Sequence, residues 1–93
     1  MEDKTYNEVV RGEEAERILN SEVYKGAIES VRNGVVDAIG SSPMGDEKTH
    51  NRLAIALQLL NQIERNLKTV MQTGQMAKMQ IAGNVVHKIR GIA

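Results

Sequence analysis

The chain contains no cysteine, phenylalanine or tryptophan, and its one proline is Pro43. Without cysteine there is no disulfide framework and no thiolate metal site. Tyr6 and Tyr24 are the only aromatic residues, so the large buried areas that aromatic side chains contribute to a core are missing. No apolar run approaches the roughly 18 residues of a membrane span, and the first residues lack the order of a signal peptide. We therefore expect a small intracellular protein with an aliphatic and methionine core.

Charge is balanced over the 93 residues but not along them. Twelve basic and twelve acidic residues give a formal net charge of zero. Residues 1–22 carry seven acids against three bases, whereas residues 65–93 carry five bases and no acid. This asymmetry could steer head-to-tail contact between copies or present a basic end that binds phosphate. It is explained equally well by two solvated faces of opposite charge.

The N-terminal half predicts two helices separated by a break. Residues 1–11 have the composition of a polar arm, and residues 13–19 follow as a short acidic helix. Ser21 is the expected N-cap of a longer helix over residues 22–39, in which apolar residues recur every third or fourth position.

The hinge between the two long helices contains strong turn signals. Gly40 is expected to end the first of them in the left-handed conformation, and Pro43 prevents its continuation. Asp46 is the expected N-cap of the next helix. Gly26 and Gly34 each weaken the preceding helix by about 1 kcal/mol relative to alanine, and we interpret them as places where another helix passes close. The predicted fold is all-α: a short N-terminal helix followed by an antiparallel helical hairpin, in an oligomer.

The second long helix has the clearest pattern. Two interleaved series spaced seven apart form a heptad seam, which the preceding helix is expected to cover: Leu53, Leu60 and Leu67, and Ala56, Ile63 and Val70. Ile55, Leu57 and Leu59 lie off that seam. One neighbouring helix covers one stripe only, so we expect another copy to cover the rest. The predicted contacts with a second copy or partner are Leu53, Ile55, Leu59, Leu60, Ile63, Leu67 and Val70.

The helical spacing of apolar residues becomes less regular after Gly74. We therefore predict three regions in the chain. These are a polar arm over residues 1–11, a helical hairpin domain over 12–74, and an apolar, basic tail over 75–93.

Catalytic and metal-binding signatures are missing. His50 and His87 lie far apart in the chain. Glu47 and His50 share one helix face and could offer two ligands to a metal ion, but two ligands do not make a metal site. No serine is paired with a plausible base. We predict that the chain is not an enzyme and needs no cofactor or metal.

The layout of charged and apolar positions carries a resemblance. Residues 11–20 (RGEEAERILN), 46–67 and 74–77 resemble small helical proteins of tailed bacteriophages that are encoded among head and packaging genes. The resemblance covers residues 11–80. It implies a non-catalytic role in particle assembly or DNA packaging, with further copies and other phage structural proteins as partners. It also implies a location in the host cytoplasm during infection or in the virion.

A weaker resemblance concerns the turn. Pro43 followed by residues 46–49 resembles the interhelical turn of phage helical-hairpin sponges, the anti-CBASS type, which sequester cyclic nucleotide immune signals. Those proteins form hexamers and hold ligand between protomers with aromatic and basic residues. By position, the candidates here are Tyr24, Lys25 and Arg65.

A third hypothesis is a small packaging-type ring that binds DNA. Neutral overall charge and few aromatics are not typical of a dedicated nucleic-acid module. The basic residues Lys78, Lys88 and Arg90 can still contact phosphate when an oligomer repeats them. Across these hypotheses, the candidate ligand or phosphate contacts are Tyr24, Lys25, Arg65, Lys88 and Arg90.

Overall fold

A computed structural model describes the backbone of residues 2–92 and the side chains of residues 3–84. Over this backbone the chain is helical and contains no strand, which confirms the predicted all-α class. The three helices are α1 (Glu2–Asn20), α2 (Glu22–Ser41) and α3 (Glu47–Ile92).

The helices form two compact units, each containing part of α3. One unit consists of Met1–Ile18 with Leu67–Ala93, and we call it the α1–α3 unit. The other consists of Leu19–Asn66, and we call it the hairpin unit.

The first helix is longer than the sequence predicts. It begins at Glu2, so residues 2–11, predicted to precede the helix, belong to α1. Gly12 lies inside this helix, where glycine costs about 1 kcal/mol relative to alanine. We attribute its presence there to packing, because Gly12 is buried against α3.

Both predicted N-caps are confirmed. Ser21 has extended backbone angles (φ −68°, ψ 127°), and its hydroxyl oxygen accepts a hydrogen bond from the Tyr24 amide at 3.3 Å. The Asp46 carboxylate accepts hydrogen bonds from the Thr49 amide at 3.1 Å and the Thr49 hydroxyl at 2.6 Å. These bonds, the hydroxyl bond first, lower the pKa of Asp46 below its ordinary value.

The prediction that Gly40 ends α2 in the left-handed conformation is wrong. No glycine among the described residues has a positive φ, and the helix continues through Gly40 to Ser41. Ser42 adopts an extended conformation (φ −77°, ψ 145°), which the ring of Pro43 favours in the residue before it. The Ser42 hydroxyl donates to the Ala38 carbonyl at 2.6 Å, so serine satisfies a helix-end acceptor.

The third helix does not break at Gly74, and it runs for 46 residues. Burial along the chain is sparse for a protein of this length. Among the described side chains, the buried apolar residues are Ala15, Leu60 and Ala77, and no large side chain is fully buried.

Candidate interaction surface

A glycine pair brings α1 and α3 into close contact in the α1–α3 unit. A Cβ atom built on Gly12 would lie 2.7 Å from the Gly74 Cα, and one built on Gly74 would lie 2.9 Å from the Glu8 carbonyl oxygen. Real Cβ atoms do not approach so closely, so α1 and α3 touch through their backbones. Ala15 and Ala77, each 2% exposed, complete this contact with small side chains.

Gly26 and Gly34, predicted to lie where another helix passes close, have no described helix of this chain against them. A Cβ built on Gly26 or on Gly34 would meet nothing within 4 Å. That interpretation is wrong for the chain by itself. The close approach uses Gly12 and Gly74, which the sequence pattern places at helix boundaries.

An ion pair joins the same two helices. The Lys78 Nζ atom lies 2.8 Å from the Glu13 Oε1 atom. This hydrogen bond and charge lower the pKa of Glu13 and raise that of Lys78. Lys78 is thus engaged by a carboxylate, which competes with any phosphate. Lys88 and Arg90 lie outside the described side chains, so their predicted phosphate contacts stay predictions.

In the hairpin unit, one edge of the helix pair is polar. Arg32 of α2 donates to Asn61 Oδ1 at 2.8 Å and pairs with Glu64 Oε1 at 2.9 Å, both on α3. Tyr24 is on α2 as well, and Glu64 helps to raise its pKa. These contacts mark where the two helices meet on that edge.

The opposite edge is apolar. Val31 precedes Arg32, and Ile63 precedes Glu64. Successive helical residues are about 100° apart, so Val31 and Ile63 are turned toward the edge away from the Arg32–Glu64 pair. Both side chains are about half exposed. Two further exposed residues on α3, Ile55 and Leu59, precede Ile63 at four-residue intervals. We call Ile55, Leu59 and Ile63 the apolar stripe.

The structure separates the predicted contact residues into two groups. Leu60 is buried, and Leu53, Leu67 and Val70 are half-buried within their own units. The apolar stripe is exposed, with Leu59 at 60%. Ile63, predicted on the seam, instead belongs to the exposed group. Ile63 is three residues from buried Leu60, which is about 60° around the helix, so it lies at the edge of the inner face.

The predicted ligand residues do not converge on a bonded cluster. Tyr24 is half-buried, and its hydroxyl oxygen is buried with no hydrogen-bond partner. Burial, followed by the nearby Glu64 charge, raises the pKa of Tyr24. Lys25 and Arg65 are exposed, and the side chain of neither forms an ion pair or hydrogen bond with a described residue. The Nε2 atom of His50 is a second buried polar atom without a partner, which sequence reasoning missed.

Other site types find little support among the described residues. No group of three or more histidine and acidic side chains is placed to hold a metal ion. A shallow groove of about 570 Å³ opens in the α1–α3 unit, between Glu8 and α3 residues that include Met76 and Met79. Over the described part of the chain, no helix combines the length and the apolar character needed to cross a bilayer.

Comparison with protein-family models, curated proteins and solved structures finds no match to this chain. Functional inference therefore depends on the residues themselves.

Proposed function

We propose that this chain is a non-catalytic protein that acts by self-association through exposed apolar helix surface. The observation that carries the proposal is the apolar stripe of Ile55, Leu59 and Ile63, which leaves three large aliphatic side chains in water on one helix. A monomer gains nothing from that exposure, because burying each such side chain is worth about 1.5–3 kcal/mol.

The sparse core supports the same proposal. Domains near this size bury only about 60% of their unfolded surface and are marginally stable. Among the described side chains, the two most deeply buried apolar ones are those of Ala15 and Ala77, which supply little apolar area. Association with further copies would add the burial that the single chain lacks.

The setting we propose is the assembly or DNA packaging of a tailed-bacteriophage particle. The layout of residues 11–80 supports it through its resemblance to small helical phage proteins. In that setting the partners are further copies and other phage structural proteins, either in the host cytoplasm during infection or in the virion.

The experiment that tests this setting is quantitative mass spectrometry of purified particles and of assembly intermediates. The proposal predicts the protein at a fixed copy number relative to the major structural protein. Absence from both particles and intermediates would overturn the assembly role, while leaving self-association to be judged separately.

One observation favours a second candidate, the sequestration of cyclic nucleotides. The Tyr24 hydroxyl is buried with no partner, and leaving a buried polar group unsatisfied costs about 1–3 kcal/mol. A ligand acceptor that reaches this hydroxyl would remove the penalty. Exposed Lys25 on the same helix supplies a free cation for phosphate.

Calorimetry with cyclic di- and trinucleotides tests the second candidate. It predicts tight binding that Tyr24→Phe weakens by removing only the hydroxyl, and that Lys25→Ala and Arg65→Ala weaken by removing charge. Lys48→Ala, an exposed lysine near the start of α3, is the control and should bind as the unaltered chain does. No heat with any of these nucleotides would rule the candidate out.

A further inference from the structure

We propose that two copies pair through their apolar stripes about a two-fold axis close to Leu59, with their α3 helices antiparallel. The inference rests on the proposed function of self-association and specifies the partner, the surface and the register. It concerns the hairpin unit only, in which all three stripe residues lie.

The first argument is the charge-free run that contains the stripe. Residues 53–63 include no charged side chain, in a chain of which 26% is charged. Eleven residues make about three helical turns, so the run covers every side of α3, including the side that its own chain leaves exposed. A solvated helix face normally carries charged or other polar side chains. Gln58 and Gln62 fit that rule, but the exposed stripe beside them is aliphatic with no charge to oppose contact, which indicates that it is covered in the working protein.

The second argument is the symmetry of the stripe, which identifies the cover as another copy. Ile55 and Ile63 are each four residues from Leu59, so the stripe reads the same in both chain directions. A two-fold interface uses the same patch on both subunits and must be complementary to itself. An antiparallel pair about Leu59 places Ile55 of one copy beside Ile63 of the partner subunit.

Charges at the ends of the stripe favour the antiparallel arrangement. Arg52 and Asn66 are each seven residues from Leu59. Antiparallel pairing brings Arg52 toward Asn66 of the partner subunit, whereas parallel pairing in register brings two arginines together. Like charges in contact oppose association.

Helix geometry and α2 agree with this arrangement. Residues four apart form a ridge on a helix, and such a ridge packs into a groove on the surface of a neighbouring helix. Val31 of α2 is exposed at the same edge as Ile63. It widens the patch from one helix to two, so that the pair of hairpins makes a four-helix arrangement.

Single cysteines test the register, because the chain has none of its own. Leu59→Cys should cross-link to a dimer on mild oxidation or with a short bismaleimide. Val36→Cys is the matched control. It replaces an apolar residue of similar exposure (52% against 60%) in the same hairpin unit, outside the stripe, and should cross-link much more slowly.

The direction of pairing needs two further variants, one carrying an affinity tag. Ile55→Cys mixed with Ile63→Cys should give a mixed dimer, and each variant alone should give far less. Efficient cross-linking of Ile55→Cys by itself would show parallel pairing and overturn the proposal.

Sedimentation of the unmodified chain separates the two possible failures. An oligomer whose Leu59→Cys variant cross-links no faster than Val36→Cys would overturn this interface and leave self-association standing. A monomer at all concentrations would overturn both. Because Leu59, Ile55 and Ile63 are exposed in the single chain, their replacement leaves the folding of the hairpin itself largely unaffected, which circular dichroism checks.

Discussion

At the scale of single residues, Gly12 and Gly74 show how one missing side chain fixes a helix contact. The Cα atom of each glycine lies only 2.7 Å from the position that a Cβ atom on the other would occupy. Backbone atoms cannot rotate away as side chains can, so α1 or α3 must shift to admit a methyl group.

Gly74→Ala is therefore expected to destabilise the protein although alanine favours helix. Overpacking costs about 1–3 kcal/mol, and the gain in helix propensity offsets about 1 kcal/mol of that. We expect a net loss of up to about 2 kcal/mol, seen as a Tm lower by several degrees, since 1 kcal/mol shifts the Tm of a domain this size by about 4–8 °C.

The matched control is Gly34→Ala, a glycine within α2 with nothing near its Cβ position. It should raise Tm by several degrees, because it gains helix propensity without a clash. If both variants stabilise the protein equally, the backbone contact between α1 and α3 does not exist in solution.

Sequence alone could not predict which glycines make the contact. In a single sequence, Gly12 precedes a run of acidic helix formers and Gly74 follows an apolar pattern that fades, and both features are typical of helix ends. Gly26 and Gly34 interrupt a strong helical pattern, which made them the better candidates for close packing. The difference arises from tertiary contact, which overrides local propensity.

At the scale of helices, local side-chain chemistry accounts for most boundaries. Ser21 and Asp46 were predictable as caps because the acceptor acts on an amide two or three residues ahead, within the same local sequence. The end of α2 was less predictable. Pro43 fixes where the helix must stop, but two serines, and no left-handed glycine, satisfy its last carbonyls.

Ser21→Ala tests the cap of α2. Loss of an N-cap acceptor costs typically about 1 kcal/mol, so urea unfolding should show a lower midpoint with an unchanged slope. Ser41→Ala is the comparison, because the Ser41 hydroxyl is exposed and bonds only to carbonyls of its own helix. An equal loss in both variants would show that the Ser21 hydrogen bond has no special role.

The pH dependence of stability tests the cap of α3. In the folded chain, the hydrogen bonds from Thr49 hold the pKa of Asp46 below its ordinary value of 3.8. Its contribution is therefore fully present above that ordinary pKa and is lost as pH falls through the folded pKa.

Asp46→Asn retains a good N-cap without a titrating group. We expect the variant to lose less stability than the unaltered chain between pH 4 and pH 2, measured by thermal unfolding at a series of pH values. If the stability of the two proteins falls equally between pH 4 and pH 2, the Asp46 carboxylate does not have this role.

At the scale of the whole chain, the account explains why so much aliphatic surface is exposed. The heptad pattern predicted a seam covered within the chain, and Leu60 is buried as expected. The set off that seam includes Ile55 and Leu59, and both are exposed. Sequence could predict that two apolar faces exist. It could not assign Ile63, because a position about 60° around the helix from Leu60 can lie on the inner face or at its edge, and only tertiary packing decides which.

Stability should then depend on association. Anything that binds the folded chain but not the unfolded chain raises Tm. In a self-associating protein the other copies are the ligand, so Tm rises with protein concentration. The measurement that tests this most directly is sedimentation velocity combined with thermal unfolding over a wide range of protein concentration, for the unaltered chain and for Leu59→Asp. We predict an oligomer whose Tm rises with concentration, and a Leu59→Asp variant that sediments as a monomer with a lower, concentration-independent Tm. A compact monomer that melts cooperatively at the same temperature at every concentration would contradict the account.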